Sequence, residues 1–136
     1  MADKLTMTTE GFDELLRALE KAGQDSKQAA EKALIEGKKA VTPGIREAIA
    51  RHRRTGATEA SLDTKEEVRF VGTVAEIDIG FNVKEGGLPS IFLMYGTPRM
   101  QPDKRLYNAV YGSEARKKFN EAAEKALDDL MKKVGG

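Results

Sequence analysis

Apolar positions change period twice along the chain. In "GFDELLRALEKAG", Phe12, Leu15, Leu16 and Leu19 recur at helical spacing, with Asp13 and Glu14 near the positive end of the helix they predict. Gly23 is a natural stop, and Asp25 or Ser26 can cap a second, longer helix. Its apolar face runs through Ala30, Ala33, Leu34, Gly37, Ala40 and Val41, then Ile45, Ala48 and Ile49. The small side chains in this stripe bury little area each but let another helix come close, within the subunit or across an interface. Pro43 lacks an amide hydrogen and crowds the preceding turn, so a kink or short break is expected there. Because the apolar phase resumes at Ile45, the pattern predicts one bent helix over about 25–51, roughly 40 Å long.

Residues 51–67, "RHRRTGATEASLDTKEE", show no apolar period and read as a long polar loop. The period then becomes two. Val68 and Phe70 flank Arg69, and Ala75, Ile77, Ile79 and Phe81 alternate with Glu76, Asp78 and Gly80. Gly72 and Thr73 lie between the runs as a hairpin turn, which predicts an antiparallel ribbon with one buried face. Residues 82–89 read as a second loop. The run from Pro89 to Tyr95 fits either strand or helix, and Pro89 in a first turn with Gly96 just past the end favours a short helix. Pro102 can open another helical segment, which Gly112 and Ser113 end. In the last helix Phe119, Ala122, Ala123, Ala126, Leu127, Leu130, Met131 and Val134 form one stripe, with Glu121–Lys125, Asp128–Lys132 and Asp129–Lys133 spaced for ion pairing. These elements predict an α+β fold: long N-terminal helices, the second kinked near Pro43, a small antiparallel sheet, a short helix before Gly96 and a C-terminal amphipathic helix. Residues 1–9 read as a flexible arm dispensable for folding, and 10–136 as one domain.

Composition narrows the function. With 23 Lys+Arg against 22 Asp+Glu, the net charge of +1 supplies no global field for nucleic acid or an anionic membrane. Without cysteine, neither a disulfide framework nor a thiolate metal site can form. The start has no signal-peptide pattern and no run approaches the roughly 18 apolar residues of a membrane span, so a soluble protein at work inside a cell is expected. His52 is the one imidazole. Surrounded by Arg51, Arg53 and Arg54, it reads as a solvated side chain rather than a catalyst or metal ligand, and neither enzymatic activity nor a cofactor is expected. "RHRR" reads foremost as cations answering a helix C-terminus and neighbouring carboxylates. The alternative function is a small nucleic-acid-binding α+β protein that contacts phosphates, or an acidic partner, through Arg51, Arg53 and Arg54.

The order of "GFDELLRAL", an alanine-rich helix, "RRTGATEASL", a ribbon, "IFLMYGTPRMQP" and a final amphipathic helix resembles the tail-completion, or head–tail joining, proteins of long-tailed bacteriophages. The similarity runs from Gly11 through nearly the whole chain. Its most specific piece is Tyr95, Gly96, Thr97 and Met100, against a family pattern of Glu-Tyr-Gly-Thr followed shortly by Met-Pro. Thr55, Gly56 and Leu62 look like the family's Asp-Thr-Gly loop and the leucine after it. Met94 replaces the family's glutamate, Pro102 is displaced from beside the methionine, and "KRLYNAV" stands where the family has Pro-Phe-Leu. The resemblance implies a non-enzymatic structural subunit of the phage neck. It would form a homo-hexameric ring in the virion after assembly in the host cytoplasm. Implied neighbours are head-closure (stopper), tail-terminator and tail-tube proteins, with packaged DNA near and no membrane. Implied contact residues are Tyr95, Gly96, Thr97, Arg99 and Met100, with Thr55, Gly56 and Leu62 from the loop. Gly96, Thr97 and Pro98 would then form a rigid corner, anchored by a buried Tyr95 ring, that presents Arg99 and Met100.

Overall fold

The small-residue stripe of the second helix is the floor on which the domain is built. The computed structural model describes residues 4–52 and 57–135. In chain order, strand β1 (Lys4–Thr8) precedes helices α1 (Asp13–Lys21), α2 (Ser26–Ala50) and the one-turn α3 (Ala57–Ala60). Strands β2 (Arg69–Val71) and β3 (Val74–Gly80) follow, then α4 (Leu88–Tyr95), α5 (Lys104–Tyr111) and α6 (Ser113–Gly135). The fold is α+β, with one small antiparallel sheet.

Asp25 caps α2, its carboxylate accepting from the amides of Lys27 and Gln28 at 2.9 and 3.3 Å. Ala30, Ala33, Leu34, Val41, Ile45, Ala48 and Ile49 are buried along it, as the stripe predicts. The chief partner of α2 is α6, and the closest approach is at Gly37. A Cβ at that position would stand 2.7 Å from Cζ of Phe119, so the missing side chain is what admits the buried ring. The close approach foreseen from the stripe is thus satisfied inside the subunit. No break forms at Pro43: α2 is helical from Ser26 to Ala50. Pro43 and Gly44 are both exposed, while Val41 and Ile45 on either side are held in the core. Among the described residues of α6 the ion pair formed is Lys125–Asp129, at 4.0 Å, rather than the three expected from spacing.

The sheet has the order β1-β3-β2. The hairpin turns at Gly72 (φ 65°) as its sequence predicts, and Ala75, Ile77 and Ile79 face the core. The strand β1 corrects the flexible-arm reading, since Lys4–Thr8 pair along β3 from Gly80 to Glu76 and Leu5 and Met7 pack on the core. Thr9 then closes the strand. Its amide donates to the Ala75 carbonyl at 3.1 Å, and its hydroxyl accepts from the Ala75 amide at 3.2 Å. On the outer face the Arg69 guanidinium spans Glu76 (3.0 Å) and Asp78 (2.8 Å), and Thr6 donates to Asp78 at 2.8 Å, stitching all three strands. The hydrogen bond from Arg69 holds the Asp78 carboxyl below its usual range.

From Ala57 onward, the expected 51–67 loop is more ordered than its polarity suggests. After α3, Ser61, Leu62 and Asp63 are buried, and Leu62 bridges Phe81 beyond the end of β3. Asp63 is buried because two lysines reach it. Lys4 Nζ donates to Oδ2 at 2.8 Å, and the buried Lys38 Nζ lies 3.2 Å from Oδ1. Lys38 also donates to the Lys65 carbonyl at 2.8 Å, and Lys4 to Asn82 at 2.7 Å. Burial alone would raise the Asp63 carboxyl. The Lys4 hydrogen bond, the Lys65 amide and the Lys38 charge more than offset it and leave it lowered.

Candidate partner interface at the α4–α5 corner

Helix α4 begins with Pro89 in its first turn, where a missing amide hydrogen costs nothing. Its composition is more apolar than one buried face can use. Ser90 and Met94, four residues apart, are buried, and the Ser90 hydroxyl donates to the Gly87 carbonyl at 2.6 Å. Leu88, Phe92 and Tyr95, four and three residues apart, lie on another side and stay exposed, Leu88 at 49% and Phe92 at 47%. Across from them the Tyr107 ring of α5 meets Tyr95 edge-on at 5.7 Å and lies 5.1 Å from Tyr111. Together with Met100, these side chains form an apolar, aromatic surface at one end of the domain, the kind of patch that marks a contact with a partner.

The chain leaves this helix through a tight corner. The Gly96 amide donates to Phe92 at 2.8 Å, and the residue adopts φ 79°, ψ 174°, a region open to glycine alone. A Cβ here would stand 2.9 Å from both the Met100 carbonyl oxygen and Pro102 Cδ. Thr97 and Met100 then close a turn with reciprocal backbone hydrogen bonds of 2.9 and 3.1 Å, and the Thr97 hydroxyl accepts from the Arg99 amide at 3.2 Å. Pro98 and Arg99 stand at the tip. The Asp103 amide donates to the Leu93 carbonyl at 2.6 Å, which returns the chain to α4.

Asp103 is the fixed point of the corner. Its Oδ1 caps α5 by accepting from the Leu106 amide at 3.1 Å. Its Oδ2 meets His52 Nε2 at 2.5 Å and Arg51 Nη2 at 3.7 Å, just beyond the end of α2. Burial would raise the Asp103 carboxyl; the His52 hydrogen bond, the Leu106 amide and the Arg51 charge bring it below its ordinary value instead. His52 is therefore a partnered side chain, not the solvated one its arginine-rich surroundings suggested. Arg51 and His52 bind a neighbouring carboxylate at a helix end, as the leading reading of "RHRR" expected.

Apart from Arg51, which lies beside Asp103, the predicted site residues divide into three groups. Thr97, Arg99 and Met100 lie at the exposed corner with Gly96 at its base. Tyr95 is there too, but its ring is 40% exposed rather than buried, because its neighbours on that side are other rings and solvent. Leu62 lies in the subunit's own core and presents no free surface. Arg53, Arg54, Thr55 and Gly56 fall outside the described residues. Leu88, Phe92 and Tyr107 were missed, although the spacing of Leu88, Phe92 and Tyr95 in a largely apolar run was legible.

Among the described residues no group of three acidic or histidine side chains could hold a metal ion, and no helix is long and apolar enough to cross a membrane. Comparison with family models, curated proteins and solved structures finds no match for the chain.

Proposed function

We propose that the protein is a structural subunit of a phage neck, completing the upper end of the tail and supporting head–tail joining as a member of a ring. The observation that carries this reading is the exposed Leu88, Phe92, Tyr95 and Tyr107 surface beside a corner stiffened by Gly96 and the Thr97–Met100 bridge. A rigid, largely apolar surface of this kind supports stable assembly, because little side-chain or backbone freedom remains to be lost on contact. The nucleic-acid alternative has less support. Arg51, the one arginine of its set among the described residues, lies beside Asp103.

In-vitro complementation tests the proposal. A lysate of the encoding phage lacking this protein should accumulate separate heads and tails. Added wild-type protein should restore joined particles, and a Phe92→Asp variant that folds normally should not. Joined, infectious particles formed without the protein would refute the proposal, as would equal rescue by Phe92→Asp.

A further inference from the structure

Among the described residues the large apolar side chains left exposed fall into two groups, and α2 separates them. Phe92, Tyr95, Met100 and Tyr107 surround the corner, with Leu88 at the other end of α4, and the corner is tied to the C-terminal half of α2 by Arg105–Glu47 (3.1 Å) and by Asp103–His52. Phe70, 40% exposed, and Val71, 60% exposed, lie on the hairpin. Phe70 belongs to the N-terminal end of α2: Lys27 Nζ stands 6.0 Å from its ring, and with Asp13, Glu20, Lys27 and Gly72 it lines a cleft of about 350 Å³. Roughly 30 Å of helix separates Lys27 from Glu47 at 1.5 Å per residue. The two apolar groups therefore lie at opposite ends of the molecule.

Their charged surroundings differ in sign. The corner carries Arg99, Lys104 and Arg105, all exposed, and neither Arg99 nor Lys104 has a carboxylate partner among the described residues. At the hairpin end the cleft itself is balanced, with Arg17 and Lys27 against Asp13 and Glu20. The surplus there is negative: the exposed Glu10 and Glu14 at the start of α1 outnumber Lys21 at its end, and on the hairpin the one guanidinium of Arg69 serves both Glu76 and Asp78.

We propose that copies of this chain associate head to tail, the apolar, basic corner of one copy seating on the hairpin and α1 start of the next. A twofold contact through the corner alone would set Arg99, Lys104 and Arg105 against their own copies and leave Phe70 and Val71 uncovered. A head-to-tail contact covers both groups and pairs unlike charges. Repetition of such a contact generates a ring when the rotation closes. The inference supplies contact faces for the ring of the proposed neck subunit and rests on that reading for its closure; the pairing of the faces stands on the geometry above.

The chain has no cysteine, so single introduced thiols report on contacts without background. Met100→Cys and Val71→Cys place thiols at the two exposed faces. Mixed as purified full-length proteins at low salt under mild oxidation, they should form the mixed disulfide dimer several-fold in excess of either homodimer. A chain carrying both substitutions should give a ladder of covalent oligomers, and high salt should reduce the yield. As a reference, Lys125→Cys places a thiol on an exposed position of α6. The proposal is overturned if Met100→Cys pairs with itself as readily as with Val71→Cys, or if the mixed yield does not exceed that of Met100→Cys with Lys125→Cys. The complementation experiment reads the neck role separately. Mixed cross-links from a protein dispensable for head–tail joining would leave the two faces standing and remove the neck. Rescue of joining without mixed cross-links would do the reverse.

Discussion

Gly96→Ala sets two costs against each other, and their sizes decide which part of the molecule yields. Alanine at φ 79°, ψ 174° costs about 1–3 kcal/mol in backbone strain. Its Cβ, 2.9 Å from the Met100 carbonyl oxygen and from Pro102, adds about 1–3 kcal/mol of overpacking against atoms that are largely backbone. Releasing the corner instead gives up the two Thr97–Met100 hydrogen bonds, worth about 1 kcal/mol each. The release is the smaller cost, so the corner should open while the core stays intact, with a net loss of about 2 kcal/mol. For a domain of this size that lowers Tm by roughly 4–8 °C. Amide hydrogen exchange supplies the local reading: Thr97 and Met100 should lose protection, and amides of β3 should not lose more than the global change requires. Gly44→Ala is the control, because Gly44 is exposed on α2 with nothing within 4 Å of its added Cβ. It should stabilise by up to about 1 kcal/mol. A Gly96→Ala protein that melts no lower than wild type and keeps Thr97 and Met100 protected would show the reasoning to be wrong.

Gly37→Ala, in the same helix as Gly44, should act with the opposite sign and destabilise by about 2 kcal/mol, because its Cβ meets the buried Phe119 ring; Phe119→Leu in the same chain should relieve part of the loss in a double-mutant cycle. Deleting residues 1–8 should cost at least about 3 kcal/mol in denaturant unfolding, since it removes the partly buried Leu5 and Met7 and uncovers an edge of β3; an unchanged midpoint would restore the reading of these residues as a free arm. Asp63→Asn should destabilise by about 3–5 kcal/mol by leaving the buried Lys38 without its counter-charge. The same carboxyl has a lowered folded value against an ordinary 3.8, so its contribution is full above that value and is lost as pH falls through the folded one. The Tm of Asp63→Asn should therefore change less than that of wild type between about pH 5 and pH 2, and an equal change would exclude Asp63 from the acid response.

Elements whose cause is local were legible in the sequence. Asp25 as a cap, Gly72 as a turn, Gly96 as a stop and the stripes of α2 and α6 each depend on residues a few positions apart. The features missed depend on distant partners. "KLTMT" alternates Leu5 and Met7, but nothing near it announces a strand; the open edge of β3 makes it one. Asp63 sits in a polar stretch and is buried by lysines from β1 and α2. At Pro43 the resumption of the apolar phase at Ile45 favoured one bent helix over a break, and α2 does run unbroken from Ser26 to Ala50. At the corner the backbone could be read from Gly96 onward. Which side of α4 faces outward could not, because its one polar side chain, Ser90, is buried and so does not mark the outer face.

Asp103 has a consequence beyond its role as a cap. One carboxylate caps α5 and engages Arg51 and His52 past the end of α2, while the amide of the same residue holds α4. The corner and the terminus of α2 thus share a thermodynamic linkage. A ligand whose binding depends on where Asp103 sits, and which favours the closed corner, favours the ordered α2 terminus by the same free energy. Reciprocity then requires that whatever pulls Arg51 and His52 away from Asp103 weaken that ligand's hold by an equal factor.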